Sequence, residues 1–156
     1  PSLPEGPASS VGEAAAAFVV FSVALPGVVL LLDGAGSKRD MRLARDLVAA
    51  AAGEWVRKPV RRRFVWPTGA DAVPGIATPE AHGSGEPASH RALRAFVDKD
   101  LQDHRAAVLL CIGDVAERLP AAWPGVRIVR LPTLASLSRD PAAKRRVWAE
   151  LCNPTP

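Results

Sequence analysis

The last third of the chain most constrains its fold, because it places a short apolar strand, a proline corner and an amphipathic helix in immediate succession. Residues 126–152 read VRIVRLPTLASLSRDPAAKRRVWAELC. The strand is expected to end before Pro132, since proline cannot donate a hydrogen bond to a neighbouring strand. Asp140 followed by a proline is typical of a helix start, so a helix is predicted over 141–151, with Trp148 buried beneath it. This order is typical of the unit that closes an α/β layer.

The other apolar runs alternate with helical patterns along the chain. Continuous apolar runs are typical of strands that are covered on both faces, as in parallel sheets. Ala107–Ile112 is such a run, and the other predicted strands are Phe18–Ala24, Val28–Leu32, Val60–Trp66 and Val126–Arg130. Val28–Leu32, Ala107–Ile112 and Val126–Arg130 are expected to be the central strands of the sheet. Because helices separate most of these strands, the sequence predicts an α/β fold with three layers and a mostly parallel central sheet.

Capping residues mark three further helices before the terminal one. The first starts at Ser37, with Asp40 in capping-box spacing, and stops at Gly53. The second starts at Ser89 and runs to about His104. The third follows Gly113, with Asp114 and Glu117 as its caps. Serine and aspartate at a helix start accept hydrogen bonds from free backbone N–H groups, and glycine ends a helix in the left-handed conformation.

The 156 residues suffice for one domain with a hydrophobic core. Residues 1–13 are rich in proline, serine and glycine and are expected to form a disordered leader before a single α/β domain over 14–152. Within that domain, the proline- and glycine-rich loop 67–87 is too long for a simple connector. The uncharged run 14–32 has the length of a membrane span, but Pro26–Gly27 interrupts it and its composition favours strands. No membrane partner is expected.

The charge and the cysteines exclude several classes of function. The net charge of +4 is mild for a dedicated nucleic-acid binder. Cys111 and Cys152 lie far apart within apolar patterns, which indicates neither a disulfide framework nor a zinc site. They are predicted to be buried free thiols in a reducing compartment, so the protein is expected to be cytoplasmic, without a metal or a cofactor.

A glycine loop joins the second predicted strand to the first predicted helix. Residues 33–38 read DGAGSK. Backbone N–H groups in such a loop can hold a phosphate, which makes a small phosphate-binding enzyme using Gly34 and Gly36 one hypothesis. The P-loop spacing is absent, and Arg39 occupies the third glycine position of a dinucleotide fingerprint. A tight turn between strand and helix is therefore favoured.

Three consecutive arginines lie within the third predicted strand. Charged residues are typical of an edge strand, where they block unwanted pairing with another sheet. The alternative is a basic contact for DNA or for an acidic partner. Because side chains alternate along a strand, Arg61 and Arg63 share one face and are the candidates for a weak, salt-dependent DNA contact.

An apolar strand, a Pro-Gly turn, a second strand and a charged helix are followed by LLCIGDVAERLP over 109–120. The chain then closes with the pattern Leu131-Pro132-Thr133-Leu134, Leu137, Pro141, Ala143, Trp148 and Cys152. Together these features resemble the psi subunit of the bacterial DNA polymerase III holoenzyme. The resemblance covers roughly residues 18–152. The psi family has a fold similar to uracil-DNA glycosylases, so the resemblance implies a uracil-DNA glycosylase-like fold. Leu131-Pro132-Thr133 falls where the glycosylases carry a His-Pro-Ser corner.

The chain departs from the glycosylase pattern at the residues that carry the chemistry. Glycosylases stabilise an oxocarbenium-like sugar with the histidine of that corner, and most position a water with an Asp or Asn in the first loop. Here Leu131 can neither donate a hydrogen bond nor tune charge. Asp33 is retained in the first loop, but an aspartate at a strand end is also a routine cap. No catalytic residue is assigned, and the protein is predicted not to be an enzyme.

The resemblance implies that the protein is a connector. In the psi family the folded part binds the chi subunit, which contacts single-strand DNA-binding protein, and an N-terminal peptide engages the clamp-loader complex. We expect a non-catalytic accessory subunit of the replicative DNA polymerase with these partners and with weak or no direct DNA binding. The candidate interface residues are Arg42, Arg45, Lys144, Arg145 and Trp148. A divergent uracil-DNA glycosylase of base-excision repair is the alternative.

Overall fold

A computed structural model describes most of the predicted α/β domain. The described residues are 17–34, 37–67 and 87–152. The predicted leader 1–13 lies outside them, as do Gly36 and all but the first and last residues of the loop 67–87. Within these ranges, no helix is both long and apolar enough to cross a bilayer.

The described residues form five strands, four α-helices and one 3₁₀ helix. The strands are β1 Phe18–Leu25, β2 Val28–Asp33, β3 Val60–Trp66, β4 Val108–Ile112 and β5 Arg127–Leu131. The helices are α1 Lys38–Ala52, α2 Ala88–Asp103, α3 Leu134–Arg139 and α4 Pro141–Cys152, with the 3₁₀ helix at Gly113–Arg118. All five predicted strands are confirmed, because apolar runs and, in β3, side-chain alternation between turn residues are strong local signals.

The strands form one mixed sheet in the order β3-β1-β2-β4-β5. β5 lies at an edge of this sheet, so the prediction that Val126–Arg130 is a central strand is wrong. β2, β4 and β5 pair in parallel, whereas β1 pairs antiparallel with both β2 and β3. The prediction of a mostly parallel sheet is therefore wrong for the half that contains β1. The two-residue turn Pro26–Gly27 joins β1 directly to β2, and such a short turn permits only antiparallel pairing. Gly27 has a φ of 92°, a conformation that glycine adopts without strain.

Helices cover both faces of the sheet, so the α/β class and the layered arrangement are as predicted. On one face, α1, α3 and α4 contribute buried residues such as Leu47, Leu137 and Leu151. On the other face, α2 and the 3₁₀ helix contribute residues such as Leu93 and Val115. β2 lies between the two layers, and its residues from Val28 to Leu32 are all buried, which explains its unbroken apolar sequence.

The helix ends of the first layer follow the predicted capping residues. Ser37 Oγ accepts a hydrogen bond from the Asp40 backbone N at 3.1 Å, and the Asp40 carboxylate accepts one from the Ser37 N at 3.2 Å. Gly53 ends α1 in the left-handed conformation. Asp140 Oδ1 accepts two hydrogen bonds from the first turn of α4, at 3.0 and 3.1 Å. These caps are confirmed: Ser37 and Asp140 satisfy free backbone N–H groups at helix starts, whereas Gly53 donates its N–H to free carbonyl groups at the end of α1.

Two other predicted caps are wrong. α2 begins before Ser89, which is buried in its first turn. The segment after β4 is a short 3₁₀ helix with Ile112 as its N-cap, and neither Asp114 nor Glu117 caps it. Gly113, with a φ of 78°, turns the chain directly at the strand end, so the helix starts before Asp114.

The terminal helix has the predicted extent but a narrower buried face. Val147 and Leu151 are buried, whereas Trp148 is only partly buried against the core. The prediction of a buried Trp148 is therefore only partly correct. α4 buries the one stripe of its surface that carries Val147 and Leu151, four residues apart, and Trp148 lies at the side of this stripe. Cys111 is buried, as predicted, but Cys152 is exposed at the helix end.

Candidate functional site

An open groove lies beside the edge strand of the sheet. α1 packs on β1 and β2, and β3 pairs with β1 alone. The prediction that the three arginines mark an edge strand is confirmed. On the face that α1 covers, the sheet is left open between this helix and β3, and the opening has a volume of about 290 Å³.

Basic side chains dominate the lining of this opening. The lining comprises Val23, Lys38, Met41, Arg42, Arg45, Lys58, Pro59 and Arg61. A second cavity of about 240 Å³, lined by Phe21, Met41 and Arg61–Arg63, shares two of these residues and continues the opening along the strand. We call the first set of residues, together with Phe21 and Arg63, the basic groove.

Strand pairing explains why two of the three arginines enter the groove. Arg61 lies opposite Val23 and Arg63 lies opposite Phe21 in the antiparallel ladder of β1 and β3. Paired residues of neighbouring strands point to the same face of a sheet. Val23 is buried in the core beneath α1, so Arg61 and Arg63 project to that same side while Arg62 projects to the other.

Helical periodicity supplies the opposite wall. On α1, the groove is lined by Lys38, Met41, Arg42 and Arg45. Met41 and Arg42 are each three or four residues from both Lys38 and Arg45. Residues three and four apart lie on one side of a helix, so these four side chains form a single stripe. The structure therefore brings together Arg42 and Arg45, predicted as partner contacts, with Arg61 and Arg63, predicted as DNA contacts.

The basic groove carries a concentrated positive charge. The lining of the first cavity contains five lysine and arginine side chains, and none of its described residues is acidic. Arg45 Nε lies 4.0 Å from Asp46 Oδ1, but both side chains are exposed, and such a pair is weak in water. Cations that converge on a concave surface raise the local positive potential, which favours a polyanionic ligand.

An exposed tryptophan lies close in sequence to one end of the groove. Trp55 is 63% exposed and the adjacent Val56 is 95% exposed, in the connection between α1 and β3 that also carries Lys58. Glu54 Oε1 accepts hydrogen bonds from the backbone N atoms of Val56 and Arg57, at 3.2 and 3.3 Å. These bonds hold the connection in a turn. Trp55 and Lys58 were not predicted as functional residues, although an aromatic residue followed two positions later by Arg-Lys is a usable signal.

A second feature lies at the carboxyl ends of β2 and β4. The connections that leave these two parallel strands run to opposite faces of the sheet, which is where α/β folds commonly bind ligands. Asp33, at the end of β2, pairs with Arg118 at 3.2 Å. The Arg118 guanidinium also lies 4.2 Å from the centre of the Phe18 ring. The first-loop aspartate is thus held in a partly buried ion pair.

The corner after β5 is occupied by packing and capping residues. Leu131 is buried in the core under α3 and α4. Thr133 Oγ1 accepts a hydrogen bond from the Ser136 backbone N at 3.2 Å and so caps α3. The side chains at this corner therefore stabilise the fold.

The other predicted interface residues lie on α4, apart from the groove. Lys144 and Arg145 are exposed, and Trp148 is partly buried in the core between α4 and the sheet. No described residue of α4 lines the basic groove. The two predicted sets of interface residues thus belong to two different surfaces.

The remaining titratable candidates do not form a reactive centre. Burial raises the pKa of the Cys111 thiol to about 11, despite the opposing effect of the Arg130 charge, so this thiol stays protonated at neutral pH. His90 lies in the first turn of α2, and His104 directly follows that helix. In the part of the chain that the structure describes, no group of three or more His, Cys, Asp or Glu residues could hold a metal ion.

Comparison of the chain with protein-family models, with curated proteins and with solved structures gave no match. The function is therefore inferred from the basic groove, from the crevice at the carboxyl ends of β2 and β4, and from the corner after β5.

Proposed function

We propose that the protein is a non-catalytic accessory subunit of a bacterial replicative DNA polymerase, similar to the psi subunit and with a related uracil-DNA glycosylase-like fold. It would connect the clamp-loader complex to a chi-like subunit and, through that subunit, to single-strand DNA-binding protein. The observation that carries the proposal is the corner after β5, where Leu131 is buried in the core and Thr133 caps α3.

This corner supports a role without catalysis. Stabilising an oxocarbenium-like sugar requires a polar or charged group aimed at the developing charge. The side chain of Leu131 is apolar and faces the core, and the hydroxyl of Thr133 is engaged in capping. In the same way, the Asp33 carboxylate is paired with Arg118.

We place the chi-binding surface on α4. Trp148 is only partly buried, and the exposed Lys144 and Arg145 flank it on the same helix. Tryptophan and arginine are enriched in protein interfaces, where they contribute much of the binding energy. The cations of α1 line the basic groove and are available for another ligand.

The test is complex formation with the chi subunit encoded by the same genome. Size-exclusion chromatography at micromolar concentration should give a one-to-one complex at about 0.15 M NaCl that persists at about 0.5 M, because the core of the interface is apolar. Lys144→Glu/Arg145→Glu should weaken the complex, whereas Arg42→Glu/Arg45→Glu, with the same change in charge, should leave it intact. Two separate peaks with both proteins folded would contradict the proposal.

A divergent uracil-DNA glycosylase is the alternative. One observation favours it: Asp33 lies at the crevice between β2 and β4, close to the turn at Gly113. A Cβ atom added to Gly113 would lie 3.7 Å from the Cβ atom of Asp33. An oligonucleotide with a single uracil separates the two functions. The connector proposal expects no release of the base from single- or double-stranded substrate. Release of uracil that Asp33→Asn abolishes would establish the glycosylase instead.

A further inference from the structure

We propose that the basic groove binds the backbone of a single-stranded polynucleotide, and that Trp55 stacks on a base at one end of it. This inference goes beyond the connector function and does not depend on it, because it concerns a surface that α4 does not share. It also goes beyond the weak contact predicted for Arg61 and Arg63, since it adds the cations of α1 and of the α1–β3 connection.

The two walls present cations along a line. Lys38 and Arg45 are seven residues apart on α1, which corresponds to ~10 Å at ~1.5 Å per residue. Arg61 and Arg63 are two residues apart on β3, or ~7 Å at ~3.3 Å per residue. Each of these lengths is greater than the size of one phosphate group, so each wall can contact more than one phosphate of a strand. The cations therefore follow a chain of phosphates, where a single anion would require them to converge on one point.

The exposed indole supplies the second element of a single-strand site. Non-specific single-strand binders combine a positive groove with aromatic rings on which unpaired bases stack. Trp55 is 63% exposed. The backbone N–H groups of Val56 and Arg57 donate to the Glu54 carboxylate, and these bonds restrict the backbone on both sides of Trp55. A tryptophan held in this way stacks on a base at a lower entropic cost than one on an unrestrained chain.

The shape of the groove favours a single strand over other polyanions. The cations line a concavity whose floor includes the apolar side chains of Phe21, Val23 and Met41. An anionic bilayer is flat, so it would contact the exposed cations but would leave this concavity unfilled. A duplex keeps its bases stacked inside, so it offers Trp55 no free base face. An acidic peptide would match the charge but would provide no base for the indole.

The test is fluorescence anisotropy of a labelled oligothymidine of about 15 nucleotides with the full chain at about 50 mM NaCl. Arg42→Glu/Arg45→Glu and Arg61→Glu/Arg63→Glu should each weaken binding by about tenfold or more, since each removes two phosphate contacts. Lys144→Glu/Arg145→Glu is the matched control: it makes the same change in net charge on α4 and should weaken binding by less than about threefold. Circular dichroism checks that every variant is folded.

Salt dependence and tryptophan fluorescence test the mode of binding. For a single strand, the logarithm of the binding constant should fall with the logarithm of salt by about 0.7 per phosphate contact, so the Arg61/Arg63 double variant should reduce the slope by about 1.4. The oligonucleotide should quench the fluorescence of the wild type, and Trp55→Phe should remove that quenching while retaining most of the affinity.

Four results would overturn the proposal: no binding at low salt, an equal loss in the α4 control, competition by polyglutamate as effective as by oligothymidine, or equal binding to anionic vesicles. Failure to bind chi would leave it standing, because no chi is present in these measurements.

Discussion

The Arg62 guanidinium donates a hydrogen bond to the carboxylate of Asp100, which is completely buried. The hydroxyl of Ser22 donates to the same carboxylate, and the guanidinium also lies 4.6 Å from the centre of the Phe96 ring. These contacts join β1, β3 and α2. They hold the edge strand against the second helical layer, and thereby fix the strand whose other face presents Arg61 and Arg63 to the groove.

Removing this buried charge should destabilise the protein. Asp100→Asn should lower the free energy of unfolding by about 2–4 kcal/mol, because it leaves the Arg62 charge without its partner in a partly buried position. Asp103→Asn is the matched control: it removes the exposed pair of Asp103 with Lys99, 3.4 Å apart on the same helix, and should change this free energy by less than about 0.5 kcal/mol. Urea unfolding followed by circular dichroism measures both. Equal effects of the two substitutions would show that the buried pair contributes nothing beyond a surface pair.

Trp148→Ala should be milder than the truncation of a fully buried aromatic residue. A buried Trp→Ala change costs about 3–5 kcal/mol, and a partly buried side chain such as Trp148 should cost about 1–2 kcal/mol. Leu151→Ala, one turn away and buried, is the comparison and should cost about 2–4 kcal/mol. A larger loss for Trp148 than for Leu151, measured by urea unfolding, would contradict the packing of α4.

The two thiols should differ sharply in reactivity. The thiolate is the nucleophilic form, and burial raises the pKa of Cys111 to about 11, whereas Cys152 is exposed. At about pH 8, Ellman's reagent should therefore modify one thiol of the native protein and both thiols after denaturation. Cys152→Ser should abolish the native reaction, and Cys111→Ser should leave it unchanged. Rapid modification of both thiols in the native state would show that β4 is more accessible than the structure indicates.

Cys111 also predicts a loss of stability in alkaline solution. Its pKa is raised from 9.0 to about 11 by burial, so the unfolded chain loses this proton at a lower pH than the native protein. The unfolded state is then favoured progressively as the pH rises from about 9 to about 11, by up to roughly 2–3 kcal/mol. Urea unfolding across this range should show the loss in the wild type, and Cys111→Ala should show a correspondingly smaller loss. Identical slopes for the two proteins would refute the assignment.

Local features of this protein could be read from its amino-acid sequence. The capping box of Ser37 and Asp40, the stop at Gly53 and the cap at Asp140 depend on residues within one turn of each other. Apolar runs and, in β3, side-chain alternation predicted the five strands, and the arginines of β3 predicted an edge strand. Such signals are carried by a few adjacent residues, whose backbone hydrogen bonds and side-chain alternation do not depend on the rest of the chain.

Only the tertiary structure decided which side chains meet. The partners of Asp100 are 38 and 78 residues away in sequence. Arg42 of α1 and Arg61 of β3 line the same groove, in the part of the sheet that α1 leaves uncovered. Both arrangements depend on the position of β1 between β2 and β3. Strand order results from the packing of two helical layers on one sheet, which minimises exposed apolar surface over the whole domain. The sequence therefore predicted which residues carry charge, and the order of the strands determined that their charges converge in one groove.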